Sequence, residues 1–322
     1  MPYGLLYPEA AEVIMLSSFL DVGQQVLVLF ILIGVGALLT KCGCITDKGA
    51  AAMTDVVLYA VTPCVIISAF SRPFRPELLG GLLTTVLCAF CVMLCSVLLA
   101  ELVCRKTEYS RAVVLKFSLV FSNCGFMALP LQQAVLGEDG VFYGAAYIAV
   151  FNLFMWTYGL IAMSRRTEPK AVLKAVVNPG VIGTVIGVVL FVCQIQLPEV
   201  VLSPVRYLAA LNTPVPMLVI GCHLIRSDLR RVLKDKGAYL AMAARLVLIP
   251  LAALGVMKLA CVDRTVAVTV TIAVSAPVAA FTTMMAQKFG RDTQLSAGIV
   301  SASAVFSFVT MPLVVGLAEY IM

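Results

Sequence analysis

Two apolar stretches of the chain carry polar side chains beside residues that break helices, so they could bind a solute inside a membrane. The first reads FSLVFSNCGFMALPL over residues 117–131 and holds four candidate ligands: Ser122, Asn123, Gly125 and Pro130. The second lies near residue 277 and holds five: Ser275, Ala276, Pro277, Val278 and Thr282. A proline inside a helix removes one backbone hydrogen bond and opens the turn before it. The helix N-terminal ends that such breaks create offer free N–H groups and a positive dipole, which suit an anionic ligand.

Both breaks also have a purely structural interpretation, because proline and glycine are common in membrane helices and often only kink them. We favour a binding site, since the two breaks lie at matching positions of the chain and both are next to polar residues. Asn123 is the strongest candidate, because its amide can donate to an anion without the desolvation cost of a full charge. For Thr282, an ordinary hydrogen bond between helices is equally compatible. We interpret Asn152 and Trp156 as packing residues.

Three charged residues fall inside apolar segments, where a charge is costly and is therefore a functional candidate. Asp55 could bind a coupling cation or a proton, although a structural salt bridge explains it equally well. Lys116 could attract anions, but extension to the nearby interface or pairing with an acid is the favoured interpretation. For Arg245, we favour pairing with helix C-terminal carbonyls or an acid over direct anion binding.

The composition indicates the class of protein in which these residues lie. The chain has 322 residues, of which 61% are hydrophobic and 12% charged, and its mean hydropathy is +1.04. A soluble domain is nearer half apolar and a quarter charged, so a soluble enzyme or a nucleic-acid binder is a poor interpretation. The net charge of +6 lies in short basic clusters without interleaved aromatic residues, which also argues against nucleic acid. We expect an all-α polytopic protein whose partner is the lipid bilayer.

No pattern in the sequence indicates catalysis or a bound cofactor. There is no phosphate-binding glycine-rich loop followed by Lys and Ser or Thr, and no HExxH zinc motif. Cys42 and Cys44 are two residues apart with no histidine nearby, which does not fit a zinc site. We therefore expect no enzyme activity, no metal and no cofactor.

Ten apolar runs are long enough to cross a bilayer. They cover residues 20–40, 50–70, 78–103, 112–136, 141–163, 179–196, 204–224, 237–260, 265–287 and 294–318. The loops after odd-numbered runs hold sixteen Lys and Arg residues, whereas the loops after even-numbered runs hold four. The positive-inside rule then places both termini on the extracellular or periplasmic side of the cell (plasma or inner) membrane. Residues 1–19 are expected to form an N-terminal tail on that side.

A shift of 153 residues aligns the chain with itself at several positions. The coincidences include Pro63 with Pro216, Ser122 with Ser275, and Gly137 with Gly290. They divide the chain into a first five-helix repeat (20–163), a short cytoplasmic loop (164–178) and a second five-helix repeat (179–322). Because each half has an odd number of spans, the second half must be inverted, as in many secondary transporters.

The motif F-S-N-x-G-F-M-x-x-P-L at residues 121–131 resembles the auxin efflux carrier family, whose bacterial members are often labelled malate or malonate permeases. Other patterns of that family recur at residues 58–63, 178–180, 245–250, 275–279 and 311–313. The resemblance implies two inverted five-helix repeats whose broken fourth and ninth helices cross, a fold related to bile-acid and sodium–proton transporters. It also implies an elevator-type alternating-access mechanism, in which a transport domain moves against a scaffold domain. Asn123 aligns with an asparagine of the family that contacts the substrate carboxylate.

We therefore predict a secondary-active or potential-driven carrier of small organic anions, either mono- or dicarboxylates such as malate or malonate, or auxin-like acids. One alternative is a cation–proton antiporter on the same fold, although no carboxylate lies in the predicted fourth or ninth span. The other is a membrane sensor that does not transport. The substrate, the coupling ion (Na⁺ or H⁺), the direction of transport and the formation of a homodimer stay open.

Overall fold

The computed structural model describes residues 8–73, 75–164, 179–227 and 229–322. Within these ranges the chain is helical apart from short connections, and it contains no β-strand beyond an isolated bridge between Ser122 and Val278. The prediction of an all-α protein is confirmed. The predicted loop at 164–178 lies outside the described residues except for its first residue, and so do residues 1–7 of the predicted tail.

The described helices follow one another along the chain with short connections. In order they are α1 (Pro8–Lys41), α2 (Asp47–Phe70), α3 (Pro76–Val103), α4 (Tyr109–Val120), α5 (Cys124–Ser164), α6 (Pro179–Val192), α7 (Glu199–Ala210), α8 (Pro214–Arg226), α9 (Leu229–Leu233), α10 (Lys236–Leu259), α11 (Arg264–Ser275), α12 (Phe281–Lys288) and α13 (Thr293–Ile321). Because α1 begins at Pro8, the helix starts before residue 20 and takes in part of the predicted tail.

Seven described helical stretches are long and apolar enough to cross a membrane, so the chain is a multi-pass membrane protein. They lie in α1, α2, α3, α5, the α7–α8 segment, α10 and α13. Ten crossings are not confirmed by this criterion, because the predicted fourth and ninth spans are each divided between two helices. The fourth covers α4 and the start of α5, and the ninth covers α11 and α12. The predicted sixth span corresponds to α6, which has only 14 residues.

Helix α5 contains the second part of the predicted fourth span and the whole of the predicted fifth span in one run of 41 residues. Gly137 interrupts this run with φ 62° and ψ −143°, a conformation that glycine adopts without the steric cost other residues would have. The interruption lies between residues 136 and 141, where the sequence predicts the connection from the fourth span to the fifth. Gly290, just before α13, has a similar φ of 60°.

Three helices contain a wider, π-helical turn that ends two residues before a proline. These turns are Val57–Val61 before Pro63, Cys124–Ala128 before Pro130, and Ala244–Leu248 before Pro250. A proline ring crowds the carbonyl of the preceding turn and offers it no N–H, and widening of that turn accommodates the ring. π-Helical turns are frequent at functional sites, and one of these three starts α5.

Two helix pairs approach so closely that no side chain fits at their contacts. Between α1 and α8, a Cβ on Gly36 would collide with the backbone of Leu218, and a Cβ on Gly221 would collide with the backbone of Ile33. Between α6 and α2, a Cβ on Gly183 would lie 2.7 Å from a backbone atom of α2. Close approach at small residues is a main source of packing energy between membrane helices. We therefore describe α1 with α8, and α2 with α6, as tightly joined pairs.

Candidate functional site

Both predicted breaks are present, and each separates the end of one helix from the start of another. Helix α4 ends at Val120 and α5 begins at Cys124, whereas α11 ends at Ser275 and α12 begins at Phe281. The connecting residues leave the helical conformation, as φ −103° and ψ 110° at Phe121 show. The breaks therefore present two helix C-terminal ends, those of α4 and α11, and two N-terminal ends, those of α5 and α12.

The two connections pair with each other as a short antiparallel bridge, which we call the crossover. The N–H of Asn123 donates to the carbonyl of Pro277 at 2.7 Å, and the N–H of Ala279 donates to the carbonyl of Phe121 at 2.9 Å. Non-helical backbone inside a membrane is tolerated only where protein or water satisfies its polar groups, and these bonds do so. The pairing brings the two predicted site segments into contact.

Five of the predicted ligands build the crossover and line none of the cavities described below: Ser275, Ala276, Pro277, Val278 and Thr282. Ser275 donates its hydroxyl to the carbonyl of Ile272 at 3.1 Å, inside its own helix. The N–H of Val278 donates to the hydroxyl of Ser303 in α13, also at 3.1 Å. Thr282 is fully buried, and within the described ranges its hydroxyl has no hydrogen-bond partner.

Arg245, from α10, lies against the C-terminal ends of α4 and α11 and is only 1% exposed. Its guanidinium donates to the carbonyls of Leu119 and Val120 at 3.2 and 3.3 Å, and also to the carbonyl of Val274. A helix C-terminal end carries about half a negative charge, so the two ends together balance the one positive charge. This is the pairing favoured for Arg245 from the sequence, and it leaves the guanidinium no exposed face for an anion.

The N-terminal ends of α5 and α12 have no such countercharge. Five backbone N–H groups at these ends donate to no backbone carbonyl among the described residues: those of Cys124, Gly125, Phe126, Ala280 and Phe281. Asn123 directly precedes α5, its side chain is 4% exposed, and its amide also makes no hydrogen bond to the described chain. Free donors are thus concentrated at one pair of helix ends.

A cavity of about 70 Å³, the crossover cavity, lies against these free donors. Its polar wall consists of Thr62, Ser122, Asn123, Asn152 and Asn212, and its aromatic wall of Phe126, Phe151, Trp156 and Phe281. Gly125 lines it as well, so three of the nine predicted substrate ligands face this space, together with the free N–H groups. None of the described residues that line the cavity is acidic or basic.

Two asparagines of the polar wall were not among the predicted ligands. Asn152, which the sequence analysis assigns to packing, is 9% exposed, and its amide nitrogen has no hydrogen-bond partner in the described chain. Asn212 lies in the turn between α7 and α8 and donates to the carbonyl of Gly125 at 2.7 Å. The sequence signal for Asn212 is weak, an amide just before Pro214 inside an apolar run.

Two wider cavities adjoin the crossover cavity. The Lys288 vestibule has a volume of about 400 Å³ and shares Leu58, Thr62, Asn152, Trp156 and Phe281 with it. The Arg72 vestibule has a volume of about 510 Å³ and shares Val65 and Asn212 with it; Pro130 also lines this vestibule. Residues 47–62 of α2 line the first and residues 65–69 line the second. The vestibules therefore lie toward opposite ends of α2.

The remaining charged candidates lie away from the crossover. Asp55 is exposed in the Lys288 vestibule and forms no ion pair within the described chain. Lys116 is paired with Glu101 of α3 at 2.6 Å, and the Tyr158 hydroxyl donates to the same carboxylate at 2.7 Å. Pairing with an acid, the favoured interpretation of Lys116, is therefore the observed arrangement. Among the described residues, no group of three or more His, Cys, Asp or Glu side chains could hold a metal ion.

The comparisons with known proteins give one family. No curated protein matches the chain. The model of a family described as "Membrane transport protein" matches residues 21–315, a range that contains both breaks, Asn123, Arg245 and all three cavities' linings. This match confirms the resemblance that rests on residues 121–131. The chain belongs to the membrane transport protein family, which is that of the auxin efflux carriers, and it is a membrane transporter.

Proposed function

We propose that the protein carries small organic anions and binds their carboxylate in the crossover cavity. The observation that carries this proposal is the charge asymmetry of the crossover. Arg245 balances the two C-terminal helix ends. The two N-terminal ends, together about one positive charge, face a cavity to whose wall the described part of the chain contributes no acidic residue. A carboxylate beside Asn123 would accept hydrogen bonds from the free N–H groups and supply the missing negative charge.

A cation–proton antiporter on this fold is the weaker proposal. Such a carrier needs a carboxylate at the crossing, and the crossover cavity offers amides and hydroxyls instead. Asp55 is the nearest alternative, and it lines the Lys288 vestibule together with Lys288 and His223. We keep Asp55 as the candidate site for a coupling Na⁺ or H⁺, in a pathway separate from the anion site.

For the whole molecule we propose ten crossings in two inverted repeats, with α4 and the start of α5 forming one crossing and α11 with α12 forming another. Support comes from Gly137 and Gly290, which match at the 153-residue shift and have nearly the same φ of 62° and 60°. The positive-inside rule puts the Lys288 vestibule on the cytoplasmic side of the cell membrane and both termini on the other side.

The size of the crossover cavity supports an alternating-access cycle. Its volume of about 70 Å³ is small beside those of the two vestibules, about 400 and 510 Å³. We propose that the site widens when a substrate enters. We propose that this widening accompanies an elevator-type movement that exposes the site to the Lys288 vestibule and the Arg72 vestibule in turn.

A ligand screen followed by a flux assay tests the proposal. Purified protein is screened by thermal unfolding against malate, malonate, lactate and indole-3-acetate, with and without Na⁺ and at several pH values. A ligand that binds only the native state raises the unfolding temperature according to its occupancy. The acid with the largest shift is then radiolabelled, and its uptake into proteoliposomes is measured for the native chain and for Asn123→Ala. Ser118→Ala is the matched control, because Ser118 is a buried polar residue of α4 that lines none of the cavities.

We expect Asn123→Ala to lower uptake at least about tenfold, which corresponds to one lost hydrogen bond to a charged group. Ser118→Ala should retain uptake near the native value. Absence of uptake for every acid in the native chain, or equal uptake by Asn123→Ala, would contradict the proposal. Binding without flux would favour the sensor, and Na⁺-dependent pH changes in the vesicles would favour the antiporter.

A further inference from the structure

The carbonyl of Gly125 lacks its regular partner within α5. In a π-helical turn, the carbonyl of one residue accepts from the N–H five residues later. For Gly125 that residue is Pro130, which has no N–H to donate. The carbonyl instead accepts the side-chain amide of Asn212 at 2.7 Å. A residue 87 positions away in the chain thus supplies the donor that the proline removes.

The position of Asn212 is well defined by its own turn. Its backbone N–H donates to the carbonyl of Ala209 at 3.0 Å, and the N–H of Val215 donates to the carbonyl of Leu211 at 3.3 Å, so the turn connects directly to α7 and α8. The Asn212 side chain is 6% exposed. The bond to Gly125 therefore links the α7–α8 turn to the first turn of α5, at the helix end that carries free N–H groups.

Asn212 also lies where the crossover cavity meets the Arg72 vestibule. Among the described residues, Asn212 and Val65 line both spaces. Among the described residues, five line both the crossover cavity and the Lys288 vestibule, and Asn212 is not one of them. The Asn212–Gly125 bond thus spans the boundary on the Arg72 side.

We propose that Asn212 is a positioning residue of the crossover site, which holds the start of α5 by the bond to Gly125 and closes the cavity toward the Arg72 vestibule. This proposal rests on the proposed function for the identity of the cavity as the substrate site. Two requirements follow from it. The first turn of α5 keeps its donors directed into the cavity only while Gly125 is held, and the bond must open before a solute can pass to the Arg72 side.

The cavity contains its own reporter, because Cys124 lines it and is 2% exposed. In a chain whose other ten cysteines are replaced by alanine or serine, Cys124 is the only thiol that can react. Intact vesicles are treated with a charged, membrane-impermeant methanethiosulfonate, and the rate of Cys124 modification is measured. Ser71→Cys, introduced into a chain without other cysteines, identifies the side on which the Arg72 vestibule opens, since Ser71 lines that vestibule.

Two variants and a matched control test the hydrogen bond separately from the bulk of the side chain. Asn212→Asp keeps the size but removes the donor, and we expect modification from the Arg72 side to be about tenfold faster than in the parent, the effect of one lost buried bond. Thr213→Ala is the matched control, because Thr213 lies in the same turn and lines the vestibule but not the cavity; its rate should equal that of the parent. In the double variant Pro130→Ala with Asn212→Asp, residue 130 regains an N–H that can donate to Gly125. Its rate should return to that of Pro130→Ala alone.

Each outcome decides the proposal. If Cys124 is modified in Asn212→Asp at the parental rate, the proposal is overturned. It is also overturned if modification is fast in Asn212→Ala but slow in Asn212→Asp, because the bulk of the side chain alone would then be responsible. The proposal is overturned as well if modification is fast in Asn212→Asp and stays fast when Pro130→Ala is added, since the new carboxylate would then be the cause. If Asn212→Asp is not recovered as a monodisperse protein, the uncharged Asn212→Ala and its Pro130→Ala combination take its place.

The labelling needs no substrate, so it can fail independently of the proposed function. If the variants are labelled as expected but no organic acid is taken up, only the proposed function as an anion carrier is rejected. Normal uptake with parental labelling in all variants would reject only the role of Asn212.

Discussion

The two kinds of helix end at the crossover differ in how their charge is balanced. At the C-terminal ends of α4 and α11, the carbonyls of Leu119, Val120 and Val274 accept hydrogen bonds from Arg245, whose side chain is buried. The N-terminal ends of α5 and α12 instead face the crossover cavity with unpaired N–H groups. Each pair of ends carries about one unit of charge in total, so the protein neutralises one pair and leaves the other.

The C-terminal ends therefore have a structural role, and the N-terminal ends are the candidate binding site. A countercharge that belongs to the chain is permanent, so the carbonyl side is a fixed structural element. An uncompensated pair of helix N-terminal ends in a low-dielectric site is stabilised by a bound anion. Under the proposed function, one carboxylate is enough to complete this balance.

The largest expected effect comes from removing the permanent countercharge. Arg245→Gln leaves the carbonyls of Leu119 and Val274 without charged donors in a buried site. We expect a loss of unfolding free energy of about 3 kcal/mol, since bonds to charged groups contribute ~1.5–3 kcal/mol each. For a chain of this size the unfolding temperature should fall by roughly 4–5 °C.

Thermal unfolding in detergent measures this loss, and Arg245→Lys is the comparison, because it keeps the charge but offers fewer directed donors. Its loss should be smaller than that of Arg245→Gln. Equal unfolding temperatures for the native chain and Arg245→Gln would show that the carbonyl ends need no countercharge.

A permanent negative charge at the N-terminal ends of α5 and α12 is expected to have a smaller effect on stability but a large effect on ligand binding. Asn123→Asp would supply the missing charge from the chain itself and repel a carboxylate. Like charges at such a site cost several kcal/mol, so the affinity for the acid found in the screen should fall more than about a hundredfold. The ligand-induced shift of the unfolding temperature measures it. An unchanged shift would place the anion elsewhere.

The smallest effect is expected at Lys116, outside the crossover. Its ammonium pairs with Glu101, whose side chain is 47% exposed, and such partly exposed pairs contribute about 1 kcal/mol or less. Lys116→Gln should therefore leave the uptake unchanged and lower the unfolding temperature by only about 1–3 °C. A strong rise of the Michaelis constant in Lys116→Gln would mean that Lys116 attracts the substrate.

The sequence was sufficient to predict where the helices break, but only partly which residues face the cavity. Proline and glycine beside polar residues mark the breaks at Asn123 and Pro277, because these residue types act locally on the helix. The second set of ligands is displaced along the chain: Ser275 to Val278 form the crossover, and the free N–H groups belong to Ala280 and Phe281. Which side of a break turns to the cavity depends on its pairing with the other break.

The contacts of Asn212 and Arg245 show a second limit. Arg245 could be assigned to helix C-terminal carbonyls from the cost of a buried charge, although the carbonyls themselves could not be named. Asn212 gave only a weak signal, because its partner is a backbone carbonyl whose lack of a donor follows from the π-helical turn of α5. Hydrogen-bond deficits of this kind become visible only when the local backbone geometry is known.

The glycine contact between α1 and α8 restricts where the molecule can divide into moving parts. At Gly36 and Gly221 the two backbones touch directly, so sliding one helix along the other would drive a neighbouring side chain into the opposite main chain. A cross-link between these two helices should accordingly be harmless to a working carrier. The elevator-type movement proposed above needs a sliding surface elsewhere, and contacts between larger, rotatable groups fit this requirement. One example is the edge-to-face pair of Phe30 in α1 and Phe308 in α13, whose ring centroids are 5.1 Å apart.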